Sequence, residues 1–216
     1  MNGIVLMGDP RVAAIPVTEC GEELTDVRDH ALSVSSLVAD EAGDFAQVRV
    51  GLAARLAQAQ EALPRGIRLL LIEGYRPPAR QRGYFEEYLL SLRQANPGRS
   101  EEQLRMLASR YVSPPEIAPH SAGAAIDLTL STASGTELDL GTRVNASPEE
   151  SAGACYTGHS AISAEARRNR AILASALHGA GLVNYPTEWW HWSYGDRYWA
   201  MASGRASAIY GPATRR

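Results

Sequence analysis

Two histidine-containing segments have a composition that could do chemistry. His120 begins the segment H-S-A-G-A-A-I-D, which reaches Asp127 seven positions later, and His191 follows Glu188 by three positions in E-W-W-H. Asp127 lies between apolar residues, where a carboxylate is costly to bury unless it has a partner. Two imidazoles and one carboxylate can hold a catalytic zinc ion, which keeps a fourth position for water. A second carboxylate that does not bind the metal would serve as the general base for that water.

The other three histidines give no comparable motif, although His30 directly follows Asp29. We interpret His30, His159 and His178 as ordinary surface or core residues. For the remaining pair, a competing interpretation is that Asp127 binds an arginine and that the tryptophans beside His191 only fill a core. Spacing alone leaves the zinc site and this structural alternative equally open.

Three separated motifs carry a family resemblance. They are G-Y-R-P at 74–77, H-x-x-G-x-A-x-D at 120–127 and E-x-W-H at 188–191, in that order along the chain. Together with shorter similarities at 20–22 and 162–167, they make the chain resemble the VanX-type D-alanyl-D-alanine dipeptidases over most of its length. These zinc peptidases are grouped with related D,D-carboxypeptidases and L,D-endopeptidases.

The resemblance implies a set of roles for individual residues. One zinc ion per chain would be held by His120, Asp127 and His191. Glu188 would be the general base that activates water on the metal, and Arg76 would help to stabilise the oxyanion that develops on the scissile carbonyl. A permanently charged planar donor suits that last role. The implied reaction is hydrolysis of D-alanyl-D-alanine or a closely related small D-amino-acid peptide.

The positions expected to contact the substrate depart from the family pattern. Ala118 stands where the family usually has serine, and Asn145 stands where the dipeptidases usually carry an aspartate that helps to bind the free ammonium of the substrate. With Tyr75, these are the expected substrate-binding residues. The departures favour substrates whose amino end is blocked or differently placed. An alternative is that Glu149 or Glu150 supplies the missing charge.

Two other functions compete with that of a dipeptidase. The first keeps the chemistry and changes the substrate, as in a D,D-carboxypeptidase, an L,D-peptidase or a hydrolase of a natural-product peptide. The second is a peptide-binding module without turnover. Glu188 and Arg76 argue against the second, because binding alone would not need a base beside the metal.

Apolar patterns place the motifs on strands and at their ends. Residues 67–72 read as a buried strand that stops before two prolines, and 124–130 read as a second strand. Residues 137–140 are expected to pair with the second strand across a turn. Short aromatic strands are expected over 189–194.

Helices are predicted between these strands. Apolar residues at helical spacing predict a helix over 48–63, and another is expected to begin at Pro77. Ser100 opens a capping-box pattern, and Ser163 has the position of an N-cap for a long helix that ends near Gly181. Strands interleaved with helices and joined partly by hairpin-length turns indicate an α+β fold. The resemblance implies the same class, a compact single domain of residues 1–216 with a central antiparallel sheet flanked by helices.

Composition limits the partners. The 216 residues include 24 acidic and 21 basic side chains, and this near-neutral balance argues against nucleic acid. No apolar stretch approaches the roughly 20 residues that cross a bilayer, and the N-terminus has no basic leader, so we expect a cytoplasmic protein without a membrane partner. Cys20 and Cys155 do not make a disulfide framework, which agrees with a reducing compartment.

Overall fold

The computed structural model describes residues 3–214, and within them the strands form two sheets. A small sheet pairs β1 with β3, and the main sheet has the order β2-β4-β5-β7-β6. Neighbours in the main sheet are antiparallel except at one edge, where β2 joins β4 in parallel. The strands are β1 Leu24–Asp26, β2 Ser33–Val34, β3 Gln47–Arg49, β4 Ile67–Glu73, β5 Ala125–Thr132, β6 Val183–Asn184 and β7 His191–Ser193.

Helices flank this sheet and confirm the predicted α+β class. Two of the predicted caps are present: Ser100 and Gln103 form a reciprocal capping box at the start of α4, and the Ser163 hydroxyl accepts the Ala166 N–H at the start of α5. The helices in the described residues are α1 Pro10–Ala13, α2 Val50–Glu61, α3 Pro78–Ala95, α4 Glu101–Ala108, α5 Ala164–Gly179 and α6 Arg197–Ala202. None of those between residues 3 and 214 is both long and apolar enough to span a bilayer.

The predicted strands over 67–72 and 124–130 are confirmed, whereas residues 137–140 pair with the second strand at Glu137 alone and form no strand. There the hairpin ends after a single bridge between Glu137 and Ser131. Beyond this bridge the chain runs toward α5, where the Asp139 carboxylate accepts a hydrogen bond from the Ser163 hydroxyl (2.9 Å).

The helix predicted over 48–63 begins later, at Val50. Val48 and Arg49 are strand residues, because they pair with β1. Behind the sheet, Leu52 of α2 and Leu173 of α5 belong to the same buried cluster as the apolar side chains of β4 and β5. This packing fixes the strands whose ends carry the predicted motifs.

Candidate active site

The register of three strands brings the motifs together. Asp127 lies opposite Glu73 across the β4–β5 pair and opposite His191 across the β5–β7 pair. His120 comes from the short 3-10 turn that leads into β5. Gly123 ends this turn with a left-handed backbone (φ +64°), where a Cβ would overlap a neighbouring leucine side chain. Glycine therefore allows the turn to present His120 beside Asp127.

His120, Asp127 and His191 are buried, and their ligand-type atoms converge within 4.8 Å of one another. His191 Nδ1 lies 3.0 Å from Asp127 Oδ1 and 3.2 Å from His120 Nε2, and that Nε2 lies 3.4 Å from the same oxygen. Zinc bonds to nitrogen and oxygen of about 2.0–2.1 Å correspond to tetrahedral edges of about 3.3–3.4 Å. The three atoms therefore fit one face of a tetrahedral zinc site.

The protonation of these groups also suits a cation. His120 Nδ1 lies 2.7 Å from the Gly74 carbonyl, which accepts its hydrogen and leaves Nε2 as the free lone pair. Burial alone would raise the pKa of Asp127, but the two adjacent imidazoles outweigh burial and hold this pKa well below its usual range, so that the group is a carboxylate. Burial lowers the pKa of His191. The cluster thus presents a carboxylate and imidazole lone pairs.

Glu188 lies beside this cluster without joining it. Its Oε2 is 3.9 Å from His191 Nδ1, and a turn fixes its backbone, since Glu188 N–H donates to the Tyr185 carbonyl (2.9 Å). Burial, followed by the negative charge of Asp127, raises the pKa of Glu188 well above its usual value, while Arg76 opposes the shift. A buried carboxyl group with a raised pKa suits a proton acceptor that works near neutral pH.

Arg76 is hydrogen-bonded through both its side chain and its backbone. Its Nε and Nη2 donate to the two carboxylate oxygens of Glu73 (2.8 and 2.5 Å), and its Nη1 donates to Gln81 Oε1 (2.8 Å). Its backbone N–H donates to the His120 carbonyl (3.2 Å), and the Ser121 hydroxyl donates to its carbonyl (3.0 Å). Neither Glu73 nor Gln81 belongs to the site predicted from the sequence. The spacing of Glu73 three residues before Arg76 was the one available signal.

A cavity of about 400 Å³ opens beside Arg76 and Glu73. One wall is aromatic, and the Tyr84 ring centre lies 5.0 Å from the Arg76 guanidinium carbon. Asn145 forms part of another wall. A cavity of this size beside a buried guanidinium is the candidate substrate site, and its lining contains Arg76 but none of His120, Asp127, His191 and Glu188.

The predicted substrate-binding residues lie in different surroundings. Asn145 lines this cavity, and its carbonyl accepts from the Tyr111 hydroxyl (2.9 Å). Tyr75 is buried and donates its hydroxyl to the Ala213 carbonyl (3.0 Å). Ala118 lines a separate cavity of about 200 Å³. Of the three, Asn145 is the one that borders the cavity beside Arg76.

Glu149 and Glu150, the alternative residues for binding the substrate ammonium, already have partners. The Glu149 carboxylate accepts from Arg110 Nη2 (2.5 Å) and from the Tyr88 hydroxyl (2.8 Å). The Glu150 carboxylate accepts from Arg143 Nη2 (2.6 Å) at an exposed position. Either carboxylate could bind a substrate ammonium only by sharing or giving up these partners.

Comparison with known proteins gives consistent matches. Residues 44–204 match the model of the Peptidase M15 family, D-ala-D-ala dipeptidase. The chain is similar to a D-alanyl-D-alanine dipeptidase of Synechocystis sp., with 28% identity over 87% of each chain. It is also similar to one of Enterococcus faecium, with 32% identity over 67% of this chain and 71% of the relative. The vancomycin resistance D,D-pentapeptidase VanY in complex with Zn(II) superposes with a TM-score of 0.45 and 13% identity, over 82% of this chain and 90% of that chain. The region of the family match contains every predicted site residue.

Proposed function

This chain belongs to the Peptidase M15 family of D-Ala-D-Ala dipeptidases, and from that premise we propose that it hydrolyses D-alanyl-D-alanine or a closely related small D-amino-acid peptide with zinc as its cofactor. The observation that carries the proposal is the buried convergence of His120, Asp127 and His191 with Glu188 beside them. Hydrolytic zinc enzymes have this arrangement, in which three protein ligands hold the metal and a nearby carboxyl group does not bind it.

Zinc would be held by His120 Nε2, Asp127 Oδ1 and His191 Nδ1, with one ion per chain. The distances among these atoms, 3.0–3.4 Å, support this assignment. When bound, zinc would supply Lewis acidity, which polarises a carbonyl group and lowers the pKa of water.

Glu188 would act as the general base. Its carboxylate would take a proton from the attacking water and pass that proton to the amine of the leaving amino acid. The raised pKa of Glu188 supports this role, because the group must hold the proton between the two transfers.

Arg76 would stabilise the negative charge that develops on the scissile carbonyl oxygen. A guanidinium has five N–H groups, and the bonds to Glu73 and Gln81 occupy three of them. The remaining two, one on each terminal nitrogen, are available to an acceptor in the adjoining cavity.

The amino end of the substrate would lie beside Asn145. The Asn145 side chain offers a carbonyl oxygen in place of a carboxylate, so we infer a weaker preference for a free ammonium than a typical family member has. The pairing of Glu149 with Arg110 and of Glu150 with Arg143 supports this inference.

The proposed function is tested with purified protein. Zinc content would be measured by elemental analysis, and release of D-alanine would be measured from D-Ala-D-Ala, with L-Ala-L-Ala as the stereochemical control. We expect one zinc per chain and hydrolysis of the D,D substrate alone. Folded protein that holds no zinc, and that stays inactive on a panel of free and N-acylated D,D-dipeptides after zinc is added, would overturn the proposal.

A further inference from the structure

We propose that Glu73 and Gln81 are positioning residues that hold the Arg76 guanidinium in the orientation required at the scissile carbonyl. The inference rests on the proposed function, which gives Arg76 its role at the developing oxyanion. It assigns to two residues outside the predicted site the task of fixing one donor of the site.

Glu73 binds one edge of the guanidinium through two donors, Nε and Nη2. The pair is bidentate, and the side chains of Arg76 and Glu73 are 11% and 4% exposed. Charges buried to this degree are tolerated when they are paired and hydrogen-bonded, so each side chain accounts for the burial of the other. Glu73 lies at the end of β4, where the register shifts between Leu71 and Glu73 opposite β5. Such an irregularity re-aims a strand side chain, here toward Arg76.

Gln81 supplies a neutral third contact from the first turn of α3. Its side chain is buried, its Oε1 accepts from Arg76 Nη1 (2.8 Å), and its Nε2 donates to the Ser113 carbonyl (2.7 Å). Both ends of the amide are therefore satisfied, and the opposite amide orientation would turn an NH₂ group toward Arg76. Because Gln81 carries no charge, it fixes the guanidinium without adding a second carboxylate.

Together the two residues leave Arg76 with a defined pair of free donors. Three N–H groups are engaged, and the remaining hydrogen on each terminal nitrogen belongs to a group that borders the cavity. A long arginine side chain without such partners would have many rotamers and would have to be ordered during the reaction. A donor that is fixed beforehand stabilises developing charge without that reorganisation.

A double-mutant cycle distinguishes positioning from general support of the fold. We expect Glu73→Gln to lower kcat on D-Ala-D-Ala about 10- to 100-fold, with KM changed less than threefold and zinc content unchanged. In an Arg76→Ala background the same substitution should have little further effect, because its target is gone. Gln81→Leu should behave in the same way with a smaller loss, about 3- to 10-fold. It also serves as the second variant if Glu73→Gln does not fold.

The matched control is Arg80→Gln. It removes the neighbouring ion pair of α3 with Asp40 (3.1 Å), and we expect kcat to stay within twofold of wild type. A loss from Glu73→Gln that is equally large in the Arg76→Ala background would overturn the positioning role. So would an unchanged kcat in both Glu73→Gln and Gln81→Leu.

A readout independent of activity uses ¹⁵N NMR of arginine side chains. Wild type should show a slowly exchanging Nε–H signal that Arg76→Ala removes and that Glu73→Gln moves and exposes to rapid exchange. An Arg76 signal with the same shift and exchange rate in Glu73→Gln would show that Glu73 does not hold the guanidinium. A protected signal in a protein that fails to cleave any D,D-dipeptide would instead support the positioning of Arg76 and refute the proposed function.

Discussion

Asp127 and His191 face each other across two hydrogen-bonded strands, whereas Asn145 lies in a stretch of chain without such support. No helix or strand element lies between residues 133 and 163 in the described part of the chain. Individual side chains hold this stretch in place. The Arg170 guanidinium donates to the carbonyls of Leu140 (2.7 Å) and Ala154 (2.8 Å), and burial lowers its pKa to about 10.

This difference separates the side chains on the sheet, whose positions are constrained, from the cavity wall at Asn145, which can vary. The register of β5 and β7 fixes Asp127 and His191 of the proposed metal-ligand set, so that a change in either strand would disturb both groups. The wall at Asn145 depends on single contacts, such as those of Arg170 and Glu149, which can change one at a time. Loops on a rigid scaffold are where binding specificity commonly varies.

Loss of a ligand from the sheet should have the largest effect. We expect His191→Ala to lose most of its zinc, with hydrolysis of D-Ala-D-Ala falling to background, because two protein ligands remain of the proposed three. Elemental analysis and the D-alanine release assay measure the two effects. His159→Ala is the matched control, since His159 lies outside the cluster, and should retain both. A His191→Ala protein that keeps stoichiometric zinc would remove His191 from the ligand set.

Loss of the proposed base should lower turnover without lowering zinc content. Glu188→Ala should bind zinc as wild type does, yet lose roughly 10²–10⁴ in turnover, because the proposed base is absent and the ligands are intact. Zinc content and kcat are measured on the same preparation. Glu165→Gln, at an exposed position of α5, controls for the loss of a carboxylate. Metal loss on Glu188→Ala would instead make Glu188 a ligand.

The part of the site that lies on the sheet could be anticipated from the sequence. Spacing singled out His120 with Asp127 and Glu188 with His191 as two local pairs, and the structure brings the four side chains together. The two pairs lie more than 60 positions apart, so spacing alone left their meeting open, and the resemblance to the VanX-type dipeptidases predicted it.

Contacts between distant segments could not be anticipated in this way. Glu149 meets Tyr88 across 61 positions of sequence, and Gln81 meets Ser113 across 32. The pairing expected over 137–140 stops after Glu137, and Asp139 contacts Ser163, which lies 24 positions away. Neither propensity nor periodicity carries information on such pairs.

A carboxylate in place of Asn145 should have an intermediate effect on kcat/KM. A charge-assisted hydrogen bond contributes about 1.5–3 kcal/mol, roughly 10- to 100-fold in kcat/KM. We therefore expect Asn145→Asp to raise kcat/KM on free D-Ala-D-Ala by up to that factor and to leave N-acetyl-D-Ala-D-Ala unimproved. The left-handed backbone at this position (φ +61°) accepts aspartate as well as asparagine.

Ala118→Ser provides the comparison for this variant. Because Ala118 lines a separate cavity, we expect Ala118→Ser to change kcat/KM on either substrate less than threefold relative to wild type. Added to Asn145→Asp, it should likewise change kcat/KM less than threefold relative to Asn145→Asp alone. A large gain from Ala118→Ser alone would place residue 118 in the substrate site. No gain from the double substitution would show that both departures from the family pattern are neutral.

The smallest effect is expected at Glu149, and it decides whether this residue supplies the charge that Asn145 lacks. Its carboxylate is about half exposed and already bound to Arg110 and Tyr88, so we expect Glu149→Gln to change KM less than threefold, and equally for free and N-acetylated D-Ala-D-Ala. Stability should fall by about 0–1 kcal/mol, as for other exposed ion pairs, which a thermal melt would measure. Glu150→Gln, which removes only the exposed pair with Arg143, is the matched control. If Glu149→Gln instead loses 10-fold or more on the free dipeptide alone, then Glu149 binds the substrate ammonium, and the wall at Asn145 keeps a family-like preference through a different residue.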